Sequence, residues 1–168
     1  MKEYPKPSVT VDTIIFAIKD HSLFVLLIER KHPPFEGHWA IPGGFVEMDE
    51  TLGHAAAREL AEETSLQDLP LIQFRSFGDP GRDPRGRTIT VAYYVLLPAL
   101  PVGVAAADDA ANAQWFALNQ LPTLAFDHQQ VLSEAISDIN ARIALTKKTT
   151  DCFSKDITLN DLRQLKCI

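Results

Sequence analysis

Cysteine is scarce in this chain of 168 residues. The only two, Cys152 and Cys167, both lie within the last seventeen positions. A bond between them would close a short loop at the C-terminus and would constrain little of a core. We therefore expect reduced thiols, and we expect stability to come from the burial of apolar side chains.

Long apolar runs are missing as well. The first ten residues, MKEYPKPSVT, lack the apolar centre of a secretory signal. Elsewhere in the sequence no stretch approaches the roughly 18 apolar residues that a membrane-spanning helix needs. The sequence therefore predicts a cytoplasmic protein with no membrane partner.

A surplus of positive charge is the third feature that the chain lacks. Lys and Arg number 16 against 22 Asp and Glu, so the formal net charge is −6. This balance argues against a general surface for nucleic acid backbones, and we expect no nucleic acid partner. Any anionic ligand must be met locally, by a few arginines or by a bound cation. With 46% hydrophobic and 23% charged residues, the composition is that of one globular domain.

The apolar pattern predicts five strands and two helices. Paired prolines and a glycine interrupt residues 30–38, and Pro42 with the two glycines that follow predicts a tight turn. Segments rich in β-branched and aromatic residues predict strands at 9–18, 23–29, 71–77, 88–97 and 114–118, the first two as a hairpin. Helical spacing predicts helices at 51–63 and at about 127–145. Mixed strands with two covering helices favour an α/β/α sandwich with a mixed β-sheet between the helices.

The first helix carries a cluster of carboxylates. Glu59, Glu62 and Glu63 stand at positions i, i+3 and i+4, within an arc of about 100°. Each neighbouring like-charge pair costs about 0.2–0.5 kcal/mol unless something compensates. A divalent cation would do so, because Mg²⁺ prefers a few carboxylate oxygens and keeps room for water and phosphate. The alternative interpretation is a solvated acidic face at a helix end.

Residues 44–66, GFVEMDETLGHAAARELAEETSL, resemble the 23-residue signature of the Nudix hydrolases, G-x5-E-x7-R-E-U-x-E-E-x-G-U, where U is a bulky aliphatic residue. The exception is Ser65, where the family has a glycine that commonly takes a left-handed conformation. With serine at this position we expect either about 1 kcal/mol of backbone strain or a turn with a different backbone conformation. Eight of the nine defined positions match: Gly44, Glu50, Arg58, Glu59, Leu60, Glu62, Glu63 and Leu66.

The resemblance implies a role for each matching residue. Glu59, Glu62 and Glu63 would be the metal-binding carboxylates, with the backbone at Gly43 and Gly44 close to the metal. Arg58 and Glu50 would pair and orient the catalytic helix. For Arg58 the alternative is an ordinary i,i+4 ion pair with Glu62.

The resemblance also implies the chemistry. Two or three Mg²⁺ ions, with Mn²⁺ as an alternative metal, would neutralise a diphosphate and activate a water for attack on phosphorus. The general base differs among family members. Glu63 or Glu62 is the first candidate here, and Asp108 or Asp109 is the second.

Residues 78–87, GDPGRDPRGR, supply the candidate substrate contacts. This loop and the strand after it resemble the corresponding segment of the ADP-ribose pyrophosphatase branch and of related ADP-ribose-responsive regulators of NAD metabolism. Arg82, Arg85 and Arg87 could donate to phosphate oxygens, since guanidinium groups suit them. The alternative is a solvated turn neutralised by Asp79 and Asp83. Adenine would need an aromatic slot, for which Trp39 is the first candidate and Phe16, Phe35 and Tyr94 are others.

The resemblance therefore predicts that residues 1–147 form a Nudix hydrolase domain and that residues 148–168 form a polar linker and a short helix, too short for a DNA-reading unit. The expected activity is hydrolysis of ADP-ribose to AMP and ribose 5-phosphate. Two alternatives stay open: a non-catalytic ADP-ribose sensor, and a hydrolase of nucleoside triphosphates. Nudix domains often pair, so a homodimer is the further partner that the resemblance suggests.

Overall fold

The computed structural model describes residues 4–101 and 110–145, and a β-hairpin lies at its centre. Strands β1 (Ser8–Lys19) and β2 (Ser22–Arg30) are antiparallel, with Lys19 opposite Ser22. The two residues between them, Asp20 and His21, both have a left-handed backbone, with φ of 49° and 57°. Two left-handed residues make the tight turn that matches the twist of a hairpin, so the predicted hairpin is confirmed.

The sheet grows from this hairpin in both directions. Within the described residues the strand order is β3-β2-β1-β6-β5, with β4 added to β1 and β7 to β2. Among the strand pairs of the described part of the chain, only β1 with β6 is parallel, so the predicted mixed sheet is confirmed. The remaining elements are β3 (Trp39–Ala40), β4 (Gly43–Phe45), α1 (Leu52–Thr64), β5 (Ile72–Phe77), β6 (Thr88–Leu97), β7 (Ala110–Ala117), a 3-10 turn (Leu118–Gln120) and α2 (His128–Leu145).

Alternation along the strands places one helix on each face of the sheet, because successive side chains of a strand point to opposite sides. On β1, Ile14 and Phe16 pack with Val131 and Ala135 of α2. The odd-numbered residues of β1 face the other way: Val11 and Ile15 lie in the clusters that hold the apolar side of α1. The predicted α/β/α sandwich is therefore confirmed.

Helix α1 has a defined start and end. At its start the Thr51 hydroxyl accepts a hydrogen bond of 3.2 Å from the backbone N–H of His54, which caps the helix. At its end Ser65 has φ 63° and ψ 8°, and its N–H donates to the carbonyl of Ala61 at 2.9 Å. The left-handed position that the signature predicted is therefore present, although serine occupies it.

The tight turn predicted from Pro42 to Gly44 is wrong for the two glycines. The chain bends at Pro42, but Gly43 and Gly44 are extended and pair with β1, Gly44 opposite Val11. A Cβ on Gly43 would lie 2.1 Å from the carbonyl oxygen of Val11. Glycine is required here for close approach of two strands and not for a turn.

The predicted linker and C-terminal helix at residues 148–168 lie outside the described residues. Among the helices of the described part, none is long and apolar enough to cross a membrane.

Candidate active site

The end of α1, strand β4, the loop between β5 and β6, and the start of α2 meet around a cleft of about 450 Å³. Acidic side chains from α1 and basic side chains from β2 and the β5–β6 loop share this one space. The charged residues that line it are Asp12, Arg30, Lys31, Glu47, Arg58, Glu59, Glu63, Arg82, Asp83 and Arg85.

Glu63 ties the end of α1 to β4. Its side-chain Oε2 accepts a hydrogen bond of 2.8 Å from the backbone N–H of Gly43, and the residue is only 8% exposed. A carboxylate that accepts a backbone N–H is fixed in direction. Glu63 therefore presents its carboxylate at the cleft from a set position.

Glu59 lies against the other glycine. A Cβ on Gly44 would lie 2.3 to 2.5 Å from the carboxyl atoms of Glu59, so any side chain at position 44 would displace that carboxylate. Burial raises the pKa of Glu59, although the hydrogen bond of 2.9 Å from Arg58 opposes the shift. A partly desolvated carboxylate of this kind favours a nearby cation.

Arg58 connects the helix to the segment before it. Its Nη2 donates to Glu50 at 2.7 Å and to the carbonyl of Phe45 at 3.1 Å, and its Nε donates to Glu50 at 3.1 Å. The hydrogen bonds that Glu50 accepts from Arg58, and then the one from the backbone N–H of Glu47, lower the pKa of Glu50 to about 2. A further bond of 3.1 Å joins Arg58 to Glu62 at i+4. The orienting pair with Glu50 and the i,i+4 pair with Glu62 therefore exist together.

Glu62 stands apart from the other two glutamates. Its side chain is 46% exposed, bonded to Arg58, and it does not line the cleft. No group of three or more His, Cys, Asp or Glu side chains converges as a ready metal cluster within residues 4–101 and 110–145. Mg²⁺ nevertheless needs only one or two carboxylates when waters and substrate phosphates complete its shell. Glu59 and Glu63, with glycine backbone beside them, fit such an ion.

Arg82 serves mainly to hold the β5–β6 loop in place. It makes a bidentate pair with Asp127 at 2.8 and 2.7 Å and reaches Asp12 at 3.4 Å. Its side chain is 5% exposed, so its charge is buried and neutralised by these carboxylates. Arg82 lines the cleft but fastens the loop to β1 and to the start of α2.

The other two arginines of the loop differ in position. Arg85 lines the cleft with its side chain 40% exposed, and it is paired with Asp83 at 2.7 Å. Arg87 instead donates to the carbonyl of Gly78 and lies away from the cleft. The structure therefore brings Arg82 and Arg85 to the site and leaves Arg87 at the base of its own loop.

Trp39 also lies away from the cleft. Its ring packs edge-on against Phe116, with centroids 4.6 Å apart, and against the core under α2. Neighbours on a strand point to opposite faces, so on β3 it is Ala40 that reaches the cleft. Two of the other aromatic candidates, Phe16 and Tyr94, are fully buried in the core. The prediction that Trp39 contacts substrate is not supported by its position.

A comparison with protein-family models matches residues 6–136 to the NUDIX domain. The chain belongs to the Nudix family. The assignment from residues 44–66 is thus confirmed, and so, at the level of the family, is the enzyme class of Nudix hydrolase that it implied.

Curated relatives of this Nudix chain include an enzyme and a regulator. The ADP-ribose pyrophosphatase of Methanocaldococcus jannaschii is 43% identical over 131 residues, which are 78% of this chain and 74% of that one. The ADPR responsive transcriptional repressor NtrR of Acinetobacter baylyi is 34% identical over 167 residues, which are 97% of this chain but 66% of the repressor.

Solved structures give the same fold. The NUDIX domain of Shewanella oneidensis NrtR, determined in complex with ADP ribose, has a TM-score of 0.72 and 32% identity, covering 81% of this chain and 90% of that one. A MutT/nudix family protein from Enterococcus faecalis has a TM-score of 0.77 and 34% identity, covering 84% and 65% respectively.

Sequence reasoning missed two buried polar residues of this Nudix domain. Asp12 interrupts the apolar run of β1 and is 6% exposed; a lone acid in a buried strand was the available signal. His128, 4% exposed, accepts a hydrogen bond of 2.9 Å from the N–H of Ile41, and its Nε2 lies 3.8 Å from Asp12. Burial lowers the pKa of His128. Asp108 and Asp109, the second candidates for the base, lie outside the described residues.

Proposed function

We propose that this Nudix domain hydrolyses the diphosphate bond of a nucleoside diphosphate linked to another moiety, with ADP-ribose cut to AMP and ribose 5-phosphate. The observation that carries the proposal is the meeting of Glu59 and Glu63 with Arg85 in one cleft. A volume of about 450 Å³ lies within the range of small-molecule pockets. The name and 43% identity of the pyrophosphatase relative support ADP-ribose as the substrate.

Bound Mg²⁺, or Mn²⁺ in its place, would neutralise the diphosphate and lower the pKa of the attacking water. Glu59 and Glu63 would hold the metal, and Arg58 with Glu50 would keep the helix that carries them in place. Arg85 would donate to phosphate oxygens.

The reaction needs one proton acceptor. Water oxygen bonds to one phosphorus, the bond from that phosphorus to the bridging oxygen breaks, and the water proton passes to a carboxylate. Glu63 is the better placed candidate because it lines the cleft, whereas Glu62 is exposed and bonded to Arg58. To bind the metal or to accept the proton, Glu62 would have to break its ion pair with Arg58.

The decisive experiment measures ADP-ribose turnover with and without Mg²⁺, coupled to a phosphatase that releases phosphate from the products. Wild type is compared with Glu63→Gln and Glu62→Gln, and Glu134→Gln, an exposed glutamate of α2 paired with Arg75, is the control. We expect metal-dependent cleavage that falls at least 100-fold in Glu63→Gln, less in Glu62→Gln, and not in the control. Wild-type protein that binds ADP-ribose but never cleaves it would refute the proposal.

A second candidate function is an ADP-ribose sensor. The specific observation in its favour is that similarity to the transcriptional repressor extends over 97% of this chain, beyond the residues of the family match. Binding of ADP-ribose without turnover under Mg²⁺ or Mn²⁺, together with retention of a DNA fragment from its own promoter, would support the sensor. The expectation of no nucleic acid partner stays a prediction until that measurement is made.

A third candidate keeps the chemistry and changes the substrate to a nucleoside triphosphate. Side-by-side kcat/KM values for ADP-ribose and the common nucleoside triphosphates separate the two. We expect ADP-ribose to be preferred.

The mass of the protein in solution, with and without substrate, tests the predicted homodimer.

A further inference from the structure

Arg30, at the end of β2, is a further arginine that lines the cleft. Its Nε donates to the carbonyl of Pro34 at 2.9 Å and its Nη2 donates to the carbonyl of His32 at 3.3 Å. These carbonyls fix the direction of the half-buried side chain without neutralising it. In the part of the chain that the structure describes, Arg30 forms no ion pair with a carboxylate.

Phe126 contacts both this arginine and Arg85. The Cζ atoms of Arg30 and Arg85 lie 4.9 and 5.4 Å from the centroid of the same ring. Phe35 packs edge-on against that ring at 4.8 Å, so the ring is supported. Phe126 has φ 52°, a left-handed backbone that is costly for an aromatic residue and that is held here by the surrounding contacts.

The charges of Arg30 and Arg85 repel each other, and of the two only Arg85 has a carboxylate at ion-pair distance in the described residues. Arg85 is paired with Asp83, whereas Arg30 has carbonyls alone. Burial, and then the charge of Arg85, lower the pKa of Arg30, and the more weakly felt charges of Glu63 and Asp83 oppose this shift without cancelling it. A partly desolvated charge with no carboxylate at ion-pair distance is costly, and an anion that enters the cleft beside it would reduce that cost.

We propose that Arg30 and Arg85, which both line the cleft and both contact the ring of Phe126, form an anion site that binds one phosphate group of the substrate's diphosphate. The proposal rests on the proposed function and deepens it. The arginines would bind the phosphate, and the acidic side chains of α1 would remain available for the metal. A diphosphate that carries a metal ion is negative at its phosphates and positive at the cation, so it matches both sets of charges. Phe126 acts as a positioning residue through the two arginines.

The first test measures binding of inorganic pyrophosphate to the full chain by calorimetry, in EDTA and at low ionic strength. We expect Arg30→Gln to weaken binding about 10- to 100-fold, since it removes a charged donor, and Arg30→Lys to restore only part of it. Arg75→Gln is the matched control, because Arg75 is an exposed arginine of β5 paired with Glu134. Wild-type affinity in Arg30→Gln, or no measurable binding by wild type, would overturn the anion site.

The test of Phe126 uses a measurement that a loss of stability alone would not change. We expect Phe126→Leu to weaken pyrophosphate binding about 3- to 10-fold at a temperature where it is folded, and Phe126→Tyr, which keeps the ring, to bind as wild type does. The double variant Phe126→Leu with Arg30→Gln should bind pyrophosphate at most twofold more weakly than Arg30→Gln alone, because the ring acts through the arginines. Full additivity of the two losses would contradict this role.

Turnover separates this inference from the proposed function. With ADP-ribose and Mg²⁺ we expect Arg30→Gln to raise KM about 10-fold or more while kcat changes less than threefold. A wild-type protein that binds pyrophosphate through Arg30 but does not cleave ADP-ribose keeps the anion site and loses the proposed function. Cleavage of ADP-ribose with an unchanged KM in Arg30→Gln keeps the function and loses the anion site.

Discussion

The carboxylate of Glu63 accepts a hydrogen bond of 2.8 Å from the backbone N–H of Gly43, twenty residues earlier in the chain. This bond joins the end of α1 to β4, and β4 is in turn paired with the central strand β1. Gly44 makes the next contact, since only a residue without Cβ leaves room for the Glu59 carboxylate. The two glycines therefore decide where the two α1 carboxylates of the cleft, Glu59 and Glu63, lie.

Gly44→Ala should abolish most of the activity while the protein stays folded. The added Cβ would stand 2.3 Å from Glu59 Oε1, so the carboxylate must move away from its position in the cleft. We expect kcat/KM for ADP-ribose to fall about 100-fold, because a small displacement of a catalytic group is costly. Far-UV circular dichroism and steady-state kinetics check the two halves of this prediction.

Gly53→Ala is the matched control for Gly44. No atom lies within 4 Å of its added Cβ, and the position is in the first turn of α1. The substitution should leave kcat/KM unchanged and raise the free energy of unfolding by about 0.5–1 kcal/mol. Equal activity of the two alanine variants would mean that the Gly44–Glu59 contact does not matter for the reaction.

Arg82→Gln should destabilise the fold strongly. The substitution leaves Asp127 and Asp12 without their buried cation, and breaking a buried ion pair costs about 3–5 kcal/mol. Arg75→Gln removes an exposed pair with Glu134 and should cost no more than about 1 kcal/mol. Urea denaturation of both variants measures the difference, and similar losses would contradict a structural role for Arg82.

Ser65→Gly should stabilise the protein. Serine at φ 63° carries left-handed strain that glycine does not, so we expect the free energy of unfolding to rise by about 0.5–1 kcal/mol. The same substitution at Ser137, an exposed position within α2, should lower it by about 0.5 kcal/mol, since glycine is a poor helix former. Opposite signs in thermal denaturation are the expected result; a loss at Ser65 would show that its side chain is needed there.

His128 should make the fold sensitive to acid. Burial lowers its pKa in the folded state, whereas the unfolded chain has a value of about 6.5. Below that pH the unfolded state binds a proton that the folded state does not, so stability falls as the pH falls, by up to about 1.4 kcal/mol per unit.

The variant His128→Asn isolates this effect. Asparagine keeps an acceptor for the Ile41 N–H but does not titrate, so we expect a flatter dependence of stability on pH between 5 and 7. His21→Asn, at an exposed left-handed turn position that asparagine tolerates, should keep the wild-type slope. An unchanged slope in His128→Asn would exclude His128 as the group responsible.

Much of the site could be predicted from the chain because its residues are close in sequence. Glu50, Arg58, Glu59 and Glu62 lie within thirteen positions, and helical geometry alone places Glu62 beside Arg58. The same geometry could not show that Glu62 turns away from the cleft while Glu63 turns in. That difference arises from the Gly43 N–H, which belongs to another element.

The positions of the loop arginines and of Trp39 could not be decided from the local sequence pattern. Three arginines in ten residues look alike in sequence, yet Asp127 captures Arg82 and the Gly78 carbonyl captures Arg87. Trp39 has the chemistry of an adenine contact, but strand alternation turns it into the core. Each outcome depends on a partner that only the folded chain brings near.

By itself the sequence determined five of the seven strands of the described residues, both helices, the two-helix cover of a mixed sheet and the family, because periodicity and the spacing of residues 44–66 are local properties. It missed the short strands β3 and β4. Tertiary structure alone decided which carboxylates share the cleft, which of its arginines has no carboxylate at ion-pair distance, and why Asp12 and His128 are buried together. Those properties depend on burial and on contacts between residues up to 116 positions apart. Nothing in a local pattern carries that information.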